Sequence, residues 1–171
     1  TGGFTDCLLQ GGAKRVYSVD VGYGQLAWKL RDDRRVINLE RTNARYLKNE
    51  DVGEPIDLTV IDASFISLEL ILPAVLGTLK ERGRIVALIK PQFEVGKGEV
   101  GKGGVVREAQ KHERVLLKIA SRASELGLKV EGFVRSPLTG PKGNREFFIY
   151  LKVGEPATDD DPIKRMVSKI I

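Results

Sequence analysis

Three residues able to do chemistry stand where apolar runs end: Asp20 closes the run from Arg15, Asp62 closes the run from Ile56, and Lys90 closes the run from Arg84. Open α/β sheets bind ligands beyond the carboxyl ends of their strands, so parallel strands would bring these three to one rim. At such a rim Asp20 could accept hydrogen bonds from both hydroxyls of a ribose. Gly2 and Gly3, just ahead of a helical stretch, would let a carboxylate or phosphate approach the backbone N–H groups of a helix start. Each residue also has a plainer reading. A strand-end aspartate often caps the next helix, and a strand-end lysine usually sits in water. It is the combination that favours a site.

The elements that must position these residues follow from apolar periodicity. Thr5 to Gln10 reads as a helix closed by Gly11 and Gly12, Gly24 to Leu30 as a short helix, and Arg35 to Leu39 as a second strand. Ile56 to Asp62 is nearly continuous in apolar residues, as in a strand covered on both faces. Ser67 caps a helix reaching Lys80, and Pro91 ends the strand Arg84 to Lys90. Pro91 to Val106 is glycine-rich, has no helical period and reads as a loop. Leu116, Ile119, Ala120, Ala123 and Leu126 recur at helical spacing before Gly127. Lys129 to Arg135 and Glu146 to Val153 are separated by too few residues for a crossover helix, so they pair antiparallel. The expected fold class is α/β, a mostly parallel sheet with an antiparallel last strand.

Two glycine motifs compete with this picture. Gly22-Tyr23-Gly24-Gln25-Leu26-Ala27 fits a dinucleotide fingerprint, but that motif belongs after a first strand and this run follows one already ending in Asp20. Gly96 to Gly103 nearly spells a phosphate-binding loop, yet glycine replaces the hydroxyl residue that holds magnesium. The same stretch is basic: Lys97, Lys102 and Arg107 precede a long helix, and Lys142 and Arg145 lie in the last connection. Both segments lie beyond strand ends, where a shared basic rim could follow a phosphate backbone. Phe93 and Phe133 are the aromatic residues nearest to it.

With 171 residues, 42% hydrophobic composition and net charge +5, the chain suits a single globular domain and is too apolar for a disordered one. One cysteine, Cys7, and one histidine, His112, leave too few ligands for a structural zinc site, a disulfide framework or a Cys–His nucleophile pair. No apolar run approaches the length of a membrane span and no signal segment opens the chain, so the expected setting is cytoplasmic. Glu155, Asp159, Asp160 and Asp161 gather without a base after the last strand, marking 154–171 as an acidic linker and tail.

Six blocks carry a resemblance: Thr-Gly-Gly-Phe-Thr-Asp at 1–6, Val-Asp-Val-Gly-Tyr-Gly-Gln-Leu at 19–26, Glu-Arg-Thr-Asn-Ala-Arg at 40–45, Val-Ile-Asp-Ala-Ser-Phe-Ile-Ser-Leu at 60–68, Leu-Ile-Lys-Pro-Gln-Phe-Glu-Val-Gly-Lys-Gly at 88–98 and Gly-Asn-Arg-Glu-Phe-Phe-Ile at 143–149. In this order they resemble the TlyA (hemolysin A) group of FtsJ-like RNA methyltransferases, from residue 1 to about 153. The resemblance implies a Rossmann-like, seven-stranded methyltransferase fold whose first strand, with an S4-type RNA-binding domain, lies upstream of Thr1. It implies S-adenosylmethionine as cofactor and transfer of a methyl group to cytidine 2′-hydroxyls of ribosomal RNA. Gly2, Gly3 and Phe4 would lie beside the methionine part of the cofactor, Asp20 on its ribose and Asn43 near its adenine. Asp62, Lys90 and Glu146 match the last three members of the family's Lys-Asp-Lys-Glu set, and its first lysine would precede Thr1. Because the sulfonium supplies the electrophile, no metal is necessary. Ribosomal RNA or a ribosomal subunit is the implied partner, with Lys97, Lys102, Arg107, Lys142 and Arg145 as RNA contacts. A non-catalytic RNA-binding module of the same fold is the alternative. A membrane-active hemolysin rests only on the family's older name.

Overall fold

The computed structural model describes residues 2–140, 142–156 and 161–171; Thr1 and the acids Asp159 and Asp160 lie outside the described residues. Helix α1 (Gly3–Gln10), strand β1 (Val16–Val19), the single turn α2 (Trp28–Arg31) and strand β2 (Val36–Leu39) form the first part, with β1 and β2 parallel. A 3-10 turn at Ala44–Tyr46 and α3 (Asn49–Val52) lead to β3 (Ile56–Ile61), α4 (Leu68–Thr78) and β4 (Leu79–Ile89). A one-turn helix α5 (Pro91–Glu94) and a 3-10 turn at Lys102–Gly104 precede α6 (Ala109–Glu125), β5 (Leu128–Arg135), β6 (Phe147–Val153) and α7 (Asp161–Ser168).

The larger sheet runs β3-β4-β6-β5. Strands β3 and β4 are parallel and joined by α4, while β6 is antiparallel to both β4 and β5. The expected open α/β sheet with an antiparallel last strand is therefore present. The resemblance implies seven strands in one sheet; the described residues hold six, in sheets of two and four.

One face of the large sheet carries the core. Phe147, Ile149 and Leu151 of β6 alternate inward and are fully buried, as the two-residue period of a strand demands. On β5 the buried residues are Leu128, Val130 and Phe133; a register shift between Val130 and Gly132 adds the extra residue that returns Phe133 to the core face. Helix α6 meets this face with Val115, Leu116, Ile119, Ala120 and Ala123, and α4 with Leu68, Ile71, Leu72 and Val75. At about 1.5 to 3 kcal/mol for each large apolar side chain removed from water, this layer dominates stability. Phe133 is thereby unavailable to stack on a nucleobase.

The structure alters several sequence expectations: α4 stops at Thr78 because β4 already starts at Leu79, and the helix expected over Gly24 to Leu30 is the single turn Trp28–Arg31. Asp161–Ser168 is a helix, not tail: Ile163 and Val167 are buried and Met166 and Ile170 pack on the same core, a helical spacing that the preceding acids obscure. Strand β3 is not covered on both faces, since Leu58 is 37% exposed while Ile61 is buried. Pro91–Glu94 is a helical turn within the expected loop, started by Pro91 at the first helical position, where its missing N–H costs nothing.

His112 joins α6 to the end of the glycine-rich segment. Its ring is fully buried, Nε2 lies 3.0 Å from the Val106 carbonyl oxygen, and Phe147 meets it edge-on at 5.4 Å. Burial holds its pKa below the ordinary 6.5. The unfolded chain therefore binds the proton more readily below pH 6.5, and acid removes stability as pH falls from there through the lower folded value. Thermal melts between pH 7 and pH 5 should show a decline that is shallower in His112→Gln. Equal slopes would remove His112 from the account.

Candidate functional site

The parallel register of β3 and β4 brings their carboxyl ends side by side, and the antiparallel β6 begins at the same edge. Asp62, Lys90 and Glu146, each one residue outside its strand, are thus neighbours by topology. Lys90 Nζ lies 2.5 Å from Asp62 Oδ1 and donates to Ser64 Oγ at 3.0 Å. The Lys90 side chain is 13% exposed and that of Asp62 50%, so the pair has one sheltered and one open member.

Glu146 is 7% exposed and accepts from Gln92 Nε2 at 3.3 Å, rather than pairing with Lys90. Of the two carboxylates, Asp62 pairs with the lysine, while Gln92, on α5, donates to Glu146. Gly140 makes room for this arrangement, because a Cβ there would fall 2.6 Å from Glu146 Oε1.

Glu94 fixes the two loops that carry the pair. It is 5% exposed, accepts from Leu68 N–H at 2.8 Å and receives Ser67 Oγ at 2.5 Å, so it caps α4 across space. Burial pushes its carboxyl above the usual range, against the lowering effect of these hydrogen bonds. The loop from Asp62 to Ser67 and the turn from Lys90 to Glu94 are consequently held at both ends. Within the first loop Phe65 is 90% exposed at φ +64°, a left-handed conformation costly for an aromatic residue, and its ring lies 4.9 Å from that of Phe93. Sequence reasoning missed Glu94 and Phe65; in the sequence one reads as a solvated loop acid and the other as core.

A second group lies around α1 and β1. Gly2 precedes α1 at φ +106°, and a Cβ there would fall 2.6 Å from Cδ1 of both Leu26 and Leu30. Gly3 has open space where a Cβ would go. Phe4 packs edge-on to Phe148 of β6 at 6.2 Å, which ties α1 to the large sheet. Asp20 accepts from Gly22 N–H at 2.7 Å through Oδ1, leaving Oδ2 for another donor. Asn43 Oδ1 accepts from Arg45 N–H at 3.0 Å, so its amide nitrogen is what remains to face a ligand.

The basic segments also meet. Asn144 is 3% exposed, accepts from Val106 N–H at 2.9 Å and donates to the Gly104 carbonyl at 2.9 Å, fastening the glycine-rich segment to the β5–β6 connection. Lys142 Nζ lies 3.3 Å from the position of a Cβ on Gly104. Lys97, Lys102, Arg107, Lys142 and Arg145 are all exposed.

The model of the FtsJ-like methyltransferase family matches residues 1–153. The chain belongs to that family. Within the FtsJ-like family it is 56% identical over 152 residues to the 16S/23S rRNA (cytidine-2′-O)-methyltransferase TlyA of Mycobacterium tuberculosis, a match covering 89% of this chain and 57% of that relative. It is 42% identical over 151 residues to Hemolysin A of Brachyspira hyodysenteriae, covering 88% and 63%. The chain thus spans little more than half the length of these curated relatives. A solved hemolysin-named protein of Lactococcus lactis superposes with TM-score 0.89 at 44% identity, covering 99% of this chain and 82% of that one. A SAM-dependent methyltransferase from Aquifex aeolicus, at 16% identity and TM-score 0.54 with 89% and 77% coverage, shares the fold. Among the described residues no helix is long and apolar enough to cross a membrane.

Proposed function

We propose that this FtsJ-like protein transfers a methyl group from S-adenosylmethionine to cytidine 2′-hydroxyls of ribosomal RNA, in the cytoplasm. The observation that carries the reading is the Lys90–Asp62 pair at the strand ends, half sheltered and beside the exposed, strained Phe65. The rRNA methyltransferase named among the relatives supports the substrate class.

The residues around α1 fit the cofactor. Only glycine suits position 2, Asp20 keeps one carboxylate oxygen for a ribose hydroxyl, and Asn43 keeps its amide nitrogen. Bound there, the cofactor supplies an electrophilic methyl group and leaves as the neutral thioether. The chain's own task is the hydroxyl. As the 2′-oxygen forms its bond to the methyl carbon, its proton must leave, and Lys90 either takes it as a neutral amine or, as an ammonium, steadies the developing oxyanion while Asp62 takes it. Ser64 and Asp62 fix where Nζ points, so the barrier falls partly by alignment alone. Phe65 offers a face on which the target base can stack, and Lys97, Lys102, Arg107, Lys142 and Arg145 would hold the RNA backbone.

The test is transfer of labelled methyl from S-adenosylmethionine to ribosomal RNA by the protein, with the modified position mapped. Methyl on a base or on protein, or none, would overturn the proposal. Gly2→Ala should weaken cofactor binding at least tenfold and cost about 1 to 3 kcal/mol of stability, since it forces a side chain into a left-handed backbone position. Gly3→Ala, with open space at its Cβ, should keep near wild-type stability. Calorimetric titration and thermal melts check both.

A further inference from the structure

The run Gly22 to Ala27 looks like a dinucleotide fingerprint in sequence, but the structure uses its glycines otherwise. Gly22 N–H donates to Asp20 and Gly24 N–H donates to Glu40 Oε1 at 2.8 Å. Arg41 N–H donates to the Gly22 carbonyl at 3.0 Å, and Thr42 N–H to the Asp20 carbonyl at 3.0 Å. The loops after β1 and β2 are therefore laced together, and Arg41 is held at φ +54°, where residues other than glycine rarely sit.

What this lacing presents outward is a stack. Arg41 lies over the Tyr23 ring, 4.9 Å from its centroid. Arg31 lies 5.8 Å from the same ring and 5.7 Å from that of Trp28. Tyr23 is 65% and Trp28 77% exposed. Glu40 fixes Arg31 by an ion pair at 3.0 Å, whereas Arg41 is exposed and has no carboxylate within 4.0 Å among the described residues. Guanidinium groups and aromatic rings alternate along one open surface, held there by the hydrogen bonds between the two loops.

We infer that the stack Trp28, Arg31, Tyr23, Arg41 is a platform for the bases of single-stranded RNA, beside the Asp20 end of the candidate site. The inference rests on the reading of RNA as substrate and adds where the strand runs. Exposed aromatic faces stack any nucleobase, and an unpaired guanidinium beside them meets the phosphate that follows. The platform is built from α2 and the loops after β1 and β2, and its positive charge is masked in the sequence because its arginines are interleaved with Asp32, Asp33 and Glu40.

Trp28 is the chain's one tryptophan, so its emission reports this surface directly. The experiment titrates the protein with a labelled single-stranded RNA oligonucleotide of about 12 nucleotides, within the usual span of such grooves, and follows label polarisation and tryptophan emission together. Expected results are quenching of Trp28, about tenfold weaker RNA binding in Tyr23→Ala, and a salt dependence lowered by about one ion in Arg41→Gln. Affinity for S-adenosylmethionine stays at the wild-type value in both variants, and a duplex of equal length leaves Trp28 emission unchanged. RNA bound with silent Trp28 emission, or with wild-type affinity by the Tyr23→Ala/Arg41→Gln double variant, overturns the platform alone. Loss of cofactor affinity in Tyr23→Ala does so too, by making the surface an adenine contact. Failure of the wild-type protein to bind any RNA overturns the substrate reading together with it.

Discussion

Lys90→Ala is expected to lower the proposed methyl transfer by about 10³-fold, the range that follows removal of a positioned proton-handling group, while affinity for S-adenosylmethionine should change by less than about twofold. The separation is expected because, among the described residues, the polar partners of Lys90 Nζ are Asp62 and Ser64 and not the residues around α1. Lys90→Arg then distinguishes its two possible roles. Arginine keeps the positive charge and cannot give up its proton at working pH. If Lys90 acts as a proton acceptor, Lys90→Arg is as inactive as Lys90→Ala; if it acts as a cation, part of the rate returns. Single-turnover methyl transfer measured across pH checks this, and wild-type rates in Lys90→Ala would remove the lysine from the mechanism.

Phe147→Ala destabilises the fold by about 3 to 5 kcal/mol, the usual cost of a cavity where a buried aromatic ring stood. Phe147 is fully buried, pairs with Ile89 across β4 and β6, and touches the His112 ring. For a chain of this size the change lowers the melting temperature by about 10 °C. Its neighbour Glu146 immediately precedes the same strand, so residual activity at low temperature should fall as well. Phe147→Leu should recover most of the stability. Denaturant midpoints for the two variants measure it, and a loss below about 1 kcal/mol for Phe147→Ala would mean that the ring carries little of the core.

The strand-end residues were legible because apolar runs of strand length mark their own ends: Asp20, Asp62 and Lys90 each stand one residue beyond a strand, Asp20 in the two-stranded sheet and the other two side by side in the four-stranded one. The pairing of Lys90 with Asp62 followed from parallel topology. That Glu146 turns to Gln92 did not, since it depends on where α5 starts and on the room left by Gly140. Phe65 and Glu94 were hidden for a related reason. A phenylalanine is ordinarily core and a glutamate in a glycine-rich stretch is ordinarily solvated, and only the folded backbone exposes the first and buries the second. Helix α7 was obscured differently, by an acidic run that drew attention from the spacing of Ile163, Met166, Val167 and Ile170.

Strand β6 lies between β4 and β5 although it is made after both. Gln92 and Glu146, which meet at the candidate site, are 54 residues apart in the chain. On a ribosome the Lys90–Asp62 corner can form while β4 still lacks its neighbour, leaving an open strand edge that invites wrong pairings. Insertion of β6 closes that edge and delivers Glu146 in one event. Completion of the sheet and arrival of Glu146 beside Gln92 are therefore one and the same structural event.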